Sequence, residues 1–252
     1  MSLADDLEAA LRSHLIGEDD LDAVPSRIEL EDLRAPDSAR VPVLALNLHH
    51  MPAPRTDAYA AQLAELRGVA HRGLDEAGLQ ALLDGRDHAE DERPIVVPVL
   101  YEGYRSSYEV ALPLVEALGL TAWLVVPPAF LDTPVAEQAA FAEAHELTPS
   151  PDEDPRVAMT WDELRDVVAR GHVVCCHTAS HVGHGSIRDE ADARRELVAS
   201  RARLEAELGR PVRTICFVWG PEWGLDPAVD AHVAAAGYEL LISNTRIQRL
   251  PD

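Results

Sequence analysis

The feature of this sequence that most constrains its fold is a series of continuous apolar runs, each about as long as one strand. A strand that is buried on both faces shows such a run instead of a strict alternation of apolar and polar residues. Runs of this kind occur at Val41–Leu48, Pro94–Tyr101, Thr121–Val126, His172–Cys176, Val212–Trp219 and Glu239–Ser243. They predict a parallel sheet, because strands of parallel sheets are normally covered by helices and shielded from water on both faces.

Helix signals lie between these runs. A helix is predicted over Ala193–Leu208, and three more begin at recognisable capping pairs. These pairs are Ser106 with Glu109, Thr160 with Glu163, and Asp226 with Pro227. Pro113 falls inside the first of these helices, where we expect a kink. Buried strands that alternate with helices predict an α/β fold, built as an open doubly wound sheet or as a closed barrel.

The chain divides into an acidic N-terminal extension, residues 1–40, and one α/β domain, residues 41–252. The extension is expected to pack on or beside the domain. It contains a predicted short helix near Leu7–Leu15 and turn signals at Pro25 and Pro36. Linkers rich in glycine and serine are absent, which favours a single folded domain over two.

The charge of the chain excludes several classes of function. The formal net charge is −22, from 44 acidic and 22 basic residues, so nucleic acid and anionic membranes would repel the protein. All of the basic residues are arginines, which excludes Schiff-base chemistry on a lysine. The N-terminal residues lack the uninterrupted apolar core of a secretory signal, and no run is long enough to cross a membrane. The sequence therefore predicts a cytoplasmic protein.

The three cysteines do not predict a disulfide framework. Cys175 and Cys176 are adjacent in a predicted strand, so their side chains point to opposite faces. We expect each cysteine to pack as a small apolar residue.

The most informative motif is a pair of histidines, His177 and His181, directly after a buried strand. Sites in parallel α/β folds are built at the carboxyl ends of strands. Two imidazoles four residues apart can reach one zinc ion, and His184 is a third candidate ligand. The alternative is that these histidines are ordinary hydrogen-bonded surface groups.

A second motif follows the run that ends at Tyr101. Glu102 stands between a strand and a helix, where a carboxylate can bind a metal or act as a base. Gly103 allows a tight turn into the helix, and Arg105 follows as a candidate substrate-binding residue. In a chain this acidic, Glu102 could equally be an ordinary loop residue.

Aromatic residues and histidines follow two other strands. Trp219 and Trp223 could stack on a sugar face, with Glu222 between them as a further candidate carboxylate. His49 and His50 follow the first run and are expected at the same end of the sheet. The alternatives are that the tryptophans fill the core and that the histidines are solvated.

In this order, the segments resemble the polysaccharide deacetylase family, the NodB-homology esterases, over roughly Val41 to Asp252. The resemblance implies a distorted (β/α)7 barrel of the NodB type. The family has Asp-Asp-Gly-Tyr at the second strand end, a His-(Ser/Thr)-x-x-His motif, a Tyr-Pro-Phe-Gly strand and a closing Ala-Gly-Tyr. The matching residues are Tyr101-Glu102-Gly103-Tyr104, His177-Thr178-Ala179-Ser180-His181, Phe217-Val218-Trp219-Gly220 and Ala236-Gly237-Tyr238.

The resemblance implies a divalent metal ion, zinc in the first place, and an N-acetyl sugar or small N-acyl molecule as substrate. The family holds its metal with two histidines and the second aspartate, which correspond to His177, His181 and Glu102. The first aspartate, the general base, corresponds to Tyr101. A phenol has an ordinary pKa of about 10 and is a poor base at neutral pH, so the departure puts the usual chemistry in doubt.

The residues leave three functions open. The first is an active hydrolase in which Glu222, His49 or His50 replaces the base, or in which Glu102 is the base and the histidines alone hold the metal. The second is a catalytically impaired relative that binds a carbohydrate or a protein partner in the former cleft. The third is a purely structural barrel. We assign Tyr101, Glu102 and Glu222 to catalysis and group the remaining candidates by role. Substrate binding is assigned to His49, His50, Arg105, Trp219 and Trp223, and metal binding to Glu102, His177 and His181.

Overall fold

The computed structural model describes residues 21–28, 41–69, 71–83, 86, 93–147, 154–244 and 246–251. Within this part of the chain, eight strands close into one barrel in chain order. They are β1 (Leu21–Ile28), β2 (Val41–Leu48), β3 (Ile95–Tyr101), β4 (Trp123–Val126), β5 (Val173–Cys176), β6 (Thr214–Cys216), β7 (Leu240–Ile242) and β8 (Ile247–Arg249). Neighbouring strands from β2 to β7 run parallel, whereas β1 is antiparallel to β2 and β8 to β7. The prediction of an α/β barrel is confirmed.

The first strand corrects one detail of the sequence prediction. Pro25 was predicted in a turn, but it lies within β1, paired with Leu44 of β2. On its other side β1 meets β8 through Ile28. A proline, which has no N–H to donate, is tolerated in a strand where one side of the ladder is not formed. Part of the segment assigned to the N-terminal extension thus contributes a strand, and the predicted helix near Leu7–Leu15 lies outside the described residues.

Helices cover the outside of the barrel. They are α1 (Thr56–Ala64), α2 (Glu76–Leu83), α3 (Leu112–Glu116), α4 (Pro128–Asp132), α5 (Val135–Ala144), α6 (Trp161–Ala169), α7 (Glu190–Ala193), α8 (Ser200–Leu208) and α9 (Pro227–Ala235). A π-helical turn, Ser107–Ala111, precedes α3, and another, Arg194–Ala199, joins α7 to α8. None of the helices described here combines the length and the apolar character that a membrane span requires.

Two of the three predicted helix caps are confirmed. Thr160 and Glu163 form the reciprocal capping box of α6, and the Asp226 carboxylate accepts from the first backbone N–H groups of α9. The cap predicted at Ser106 is wrong, because this residue is already helical and makes no capping bond. Its hydroxyl instead accepts from the N–H of Met51 at 3.2 Å, which ties the chain after β3 to the chain after β2.

Alternate residues of each strand face the barrel interior and the helices. In β3 the odd-numbered residues from Ile95 to Tyr101 pack inside the barrel, whereas Val96 packs outside it. The same alternation places Cys175 inside and Cys176 outside, both as buried free thiols, as the sequence predicted. Burying a large aliphatic side chain in either layer contributes about 1.5–3 kcal/mol, so both layers stabilise the barrel beneath its loops.

Candidate metal centre

A cleft of about 620 Å³ opens at the carboxyl ends of the strands. This is the end of a parallel barrel where the connecting loops build active sites. Its lining includes most of the residues that the motifs singled out, namely His49, His50, Tyr101, Glu102, His177, His181 and Trp219. A cleft of this size is typical of small-molecule sites.

Glu102, His177 and His181 form a buried cluster in this cleft. One ligand atom from each lies within 4.8 Å of those of the other two, and His181 Nε2 is 3.8 Å from Glu102 Oε1. Ligand atoms around a tetrahedral zinc ion lie about 3.3–3.5 Å apart, given metal–ligand distances of about 2.0–2.1 Å. Side-chain rotations that move the ligand atoms by about 1 Å would therefore bring all three onto one ion.

Both histidines are oriented by the backbone so that the same ring nitrogen faces the cluster. His177 Nδ1–H donates to the carbonyl of Cys216 at 2.7 Å, and His181 Nδ1–H donates to the carbonyl of His145 at 2.7 Å. A carbonyl can only accept, so Nδ1 carries the proton and Nε2 carries the lone pair in the neutral ring. Fixing the tautomer of a metal-binding histidine in this way is the usual arrangement in metal sites. The residues present therefore fit a metal ion.

The protonation states of the cluster also suit a cation. Burial, reinforced by the neighbouring His181, lowers the pKa of His177 from 6.5 to about 3 against an opposing effect of Glu102. Burial would raise the pKa of Glu102, but the imidazoles of His181 and His49 outweigh it and lower that pKa from 4.5 to about 2. At neutral pH the cluster thus offers a neutral imidazole at His177 and an ionised carboxylate, the forms that bind metals.

Tyr101 occupies the position of the expected base but cannot act as one at neutral pH. Its side chain turns into the barrel, and its hydroxyl donates to Asn47 Oδ1 at 3.4 Å. Burial, with the nearby Cys216 thiol, raises the pKa of Tyr101 well above 10. The ring of His49 stacks on that of Tyr101, with centroids 4.7 Å apart. His49 Nδ1 also lies 2.9 and 3.1 Å from the two oxygens of Glu102, so His49 spans both substituted positions.

Backbone strain is concentrated at this cleft. Non-glycine residues with positive φ are uncommon and strained, and they cluster at functional sites. Among the described residues they are Glu102, Glu146, Thr178, His181 and Trp219. Four of these line the cleft, and Thr178 lies in the loop between the two histidines. The surrounding structure therefore imposes the conformation of the site on its residues.

Two predicted polar residues are placed away from the cleft. The Glu222 carboxylate forms an ion pair with Arg246 at 2.8 Å, and Arg105 pairs with Glu109 and Asp154 at 3.1 and 3.2 Å. Neither Glu222 nor Arg105 belongs to the cleft lining that the described residues form. The structure thus does not bring these two to the metal cluster.

The two tryptophans also differ in whether they line the cleft. Trp219 is 79% exposed and lies at the cleft, whereas Trp223 packs half-buried against the hydrophobic core. His184 is likewise outside the described cleft lining, and its ring packs edge-on against Phe217 with centroids 5.3 Å apart. Of the two tryptophans, Trp219 is the one that the described cleft lining includes.

The sequence did not point to several residues that line the cleft. Asn47, Arg55, Tyr59 and Glu146 belong to this group. Asn47 could have been found, because it lies two residues before His49 at the end of the same strand. Glu146 follows α5 far from any motif, and nothing in the sequence around it indicates a site.

Comparisons with known proteins agree with this architecture. A family model described as polysaccharide deacetylase matches residues 102–241. Three solved structures are similar to the chain: the Streptococcus pyogenes deacetylase PplD in complex with acetate, IcaB from Ammonifex degensii, and the BpsB deacetylase domain from Bordetella bronchiseptica. PplD is 13% identical with a TM-score of 0.61, covering 92% of each chain. IcaB is 21% identical with a TM-score of 0.59, covering 83% of this chain and 87% of its own. BpsB is 18% identical with a TM-score of 0.58, and the match covers 92% of this chain and 97% of the BpsB domain. No curated protein sequence matches the chain.

Proposed function

The chain belongs to the polysaccharide deacetylase family, and we propose on that premise that it hydrolyses the acetamide bond of an N-acetylated sugar or small molecule with the help of a divalent metal ion. The observation that carries the proposal is the buried cluster of Glu102, His177 and His181, whose ligand atoms lie within 4.8 Å of one another. Zinc is the ion we assign, because imidazole nitrogens and one carboxylate are a common zinc ligand set. Such an ion supplies Lewis-acid activation of an amide carbonyl and of a water molecule.

The chain's own residues hold the ligands in place. The backbone carbonyls of Cys216 and His145 fix the two imidazole tautomers. His49 contacts both oxygens of Glu102 and so restrains the longer glutamate side chain that stands where the family has an aspartate. This restraint offsets the extra rotatable bond of glutamate, which would otherwise cost affinity through lost rotamer freedom.

Proton transfer requires a side chain other than Tyr101. The raised pKa of Tyr101 keeps its hydroxyl protonated, so it serves as a hydrogen-bond donor. His49 and His50 line the cleft, and we assign proton transfer to this pair in place of the missing carboxylate. Glu222 is not assigned, because it pairs with Arg246 and is not part of the described cleft lining.

Substrate binding is assigned to the exposed ring of Trp219. An aromatic ring can stack on the apolar face of a sugar, and burying it contributes directly to affinity. If the chain is cytoplasmic, as the sequence predicts, a sugar intermediate or another small amide is the expected substrate class.

A second function is favoured by one observation, the replacement of the base by Tyr101. Loss of general-base catalysis costs about 10²–10⁴ in rate, and a protein with that loss could retain carbohydrate binding alone. This candidate differs from the first in its products, since it binds N-acetyl sugars and releases no acetate.

Acetate release from N-acetylglucosamine oligomers, with and without added zinc, separates the two functions. If the chain is a hydrolase, acetate release should depend on zinc and should be lost in Glu102→Ala. It should be retained in His184→Ala, the matched control outside the cleft. Oligomer binding with no acetate release supports the binding protein. Absence of both zinc-dependent hydrolysis and oligomer binding overturns both candidates.

A further inference from the structure

The loop that carries both histidines, residues 177–181, has a conformation that its own sequence does not favour. Thr178 and His181 have φ angles of 59° and 57°. Such left-handed conformations are strained for a non-glycine residue and persist only where the surroundings determine them. The Thr178 hydroxyl holds part of the loop, since it donates to the carbonyl of His177 at 2.6 Å and accepts from the N–H of Val182 at 2.9 Å, and contacts from outside the loop hold the rest.

The main external contact is the carboxylate of Glu196. Its Oε2 accepts from the backbone N–H groups of Ala179 and Ser180, each at 3.1 Å. The Ser180 hydroxyl donates to both oxygens, at 3.1 and 3.2 Å, and Arg195 Nε donates to Oε1 at 2.8 Å. Hydrogen bonds to a carboxylate are among the stronger ones in proteins, so together they can hold the loop in its strained conformation.

The placement of Glu196 indicates a dedicated role. The residue is 2% exposed and lies within the π-helical turn Arg194–Ala199. π turns inside helices are rare and frequently occur at functional sites. A buried carboxylate is costly unless donors satisfy it, and two of its donors are the backbone groups midway between His177 and His181.

We propose that Glu196 is a positioning residue for the metal centre: it holds the strained loop so that the Nε2 atoms of His177 and His181 converge with Glu102. The inference rests on the proposed metal-dependent function. Glu196 is outside the described cleft lining and the metal cluster, and it acts through the backbone of the loop. Its removal leaves two loop N–H groups without their acceptor and allows Thr178 and His181 to relax.

Asp192 provides a matched control. It is also a buried carboxylate on the same helical segment, 7% exposed, and it also binds Arg195, at 2.8 Å. Its backbone partner, however, is the N–H of Arg188 at 3.2 Å, not the histidine loop. Asp192→Ala therefore reproduces the loss of a buried carboxylate and of the arginine contact while leaving the loop contacts intact.

The test is a zinc titration against a competing chelator on the full chain. Glu196→Ala is expected to bind zinc about 10–100-fold more weakly than the parent, the effect typical of partners that orient metal ligands. Glu196→Gln is expected to lose less, because its amide oxygen can still accept from the two loop N–H groups. Asp192→Ala is expected to match the parent. Equal zinc affinities for Glu196→Ala and Asp192→Ala would overturn the proposal.

A second measurement reads the loop without metal. Amide hydrogen exchange on the metal-free protein reports protection at Ala179 and Ser180. Glu196→Gln, which keeps the volume of the side chain, is expected to exchange faster at these amides while the barrel strands stay protected. Unchanged exchange there overturns the proposal even if Glu196→Ala fails to fold. A parent that binds no zinc would refute the proposed function, and the exchange data would then decide the role of Glu196 separately.

Discussion

The buried imidazole of His177 makes the stability of the metal-free protein depend on pH in a way that can be calculated. Its pKa is lowered from 6.5 to about 3, first by burial and then by His181. Between these values the unfolded chain binds a proton that the folded chain does not, so stability falls as the pH falls below 6.5. One pH unit corresponds to about 1.36 kcal/mol in this window. From pH 7 to pH 5 the protein should lose about 2 kcal/mol of unfolding free energy through this one group.

Urea unfolding at pH 7 and pH 5, with a chelator present, measures that loss. His177→Asn is the comparison, because the asparagine amide can still donate to the carbonyl of Cys216 but cannot take up the proton. The variant should be less stable at pH 7, since it leaves a cavity, and its stability should fall by about 2 kcal/mol less than that of the parent between the two pH values. Equal losses in parent and variant would refute the buried neutral state of His177.

Three further predictions concern the cleft and the surface. Gly220→Ala should destabilise the protein and perturb the neighbouring tryptophan fluorescence, because its φ is 56° and an added Cβ would lie 2.2 Å from Asn244 Oδ1. Gly119→Ala is the control, because Gly119 has a φ of 72° with open space around it and the substitution should cost only the backbone strain of about 1–2 kcal/mol. Equal losses of melting temperature in Gly220→Ala and Gly119→Ala would contradict the close packing of Gly220. Trp219→Ala should weaken the binding of N-acetylglucosamine oligomers, measured by titration calorimetry, by about tenfold and leave the melting temperature unchanged. Unaltered binding would mean that this ring does not contact the ligand. Raising the salt from about 0.1 M to about 1 M shortens the screening length from about 10 Å to about 3 Å. Because the chain has a net charge of −22, this should weaken the repulsion among its acidic groups and raise the melting temperature. A fall in the melting temperature would mean that the ion pairs contribute more to stability than that repulsion costs.

Much of the barrel could be predicted because its strands are buried on both faces. The run Val41–Leu48 coincides with β2, and Pro94–Tyr101 differs from β3 by one residue. The run Val212–Trp219 was too long by several residues, since β6 spans Thr214–Cys216. Apolar content predicts burial there but not pairing, because the residues after Cys216 turn into the cleft loop.

The site could be predicted only as far as residues are adjacent in sequence to strand ends. Glu102 and His177 directly follow strands, and His181 lies four residues further along the loop after β5, so the topology places all three at the same end of the barrel. Whether a loop side chain faces the cleft depends on its local partners. Glu222 pairs with Arg246 and is not part of the described cleft lining, and no motif of the sequence predicts this pair. The sequence also did not indicate a role for Glu196. Its orientation depends on a π-helical turn, and the apolar periodicity of the helix does not reveal that turn.

The central claim is that Glu102, His177 and His181 hold one metal ion, and the zinc content of the purified chain tests it most directly. Protein stripped with chelator, reloaded with excess zinc and dialysed should retain about one zinc per chain. His177→Ala should retain none under the same treatment, whereas His184→Ala, which removes a histidine that is close in sequence but outside the cluster, should retain as much as the parent. A parent that retains no zinc, or a His177→Ala variant that retains as much as the parent, would contradict the account.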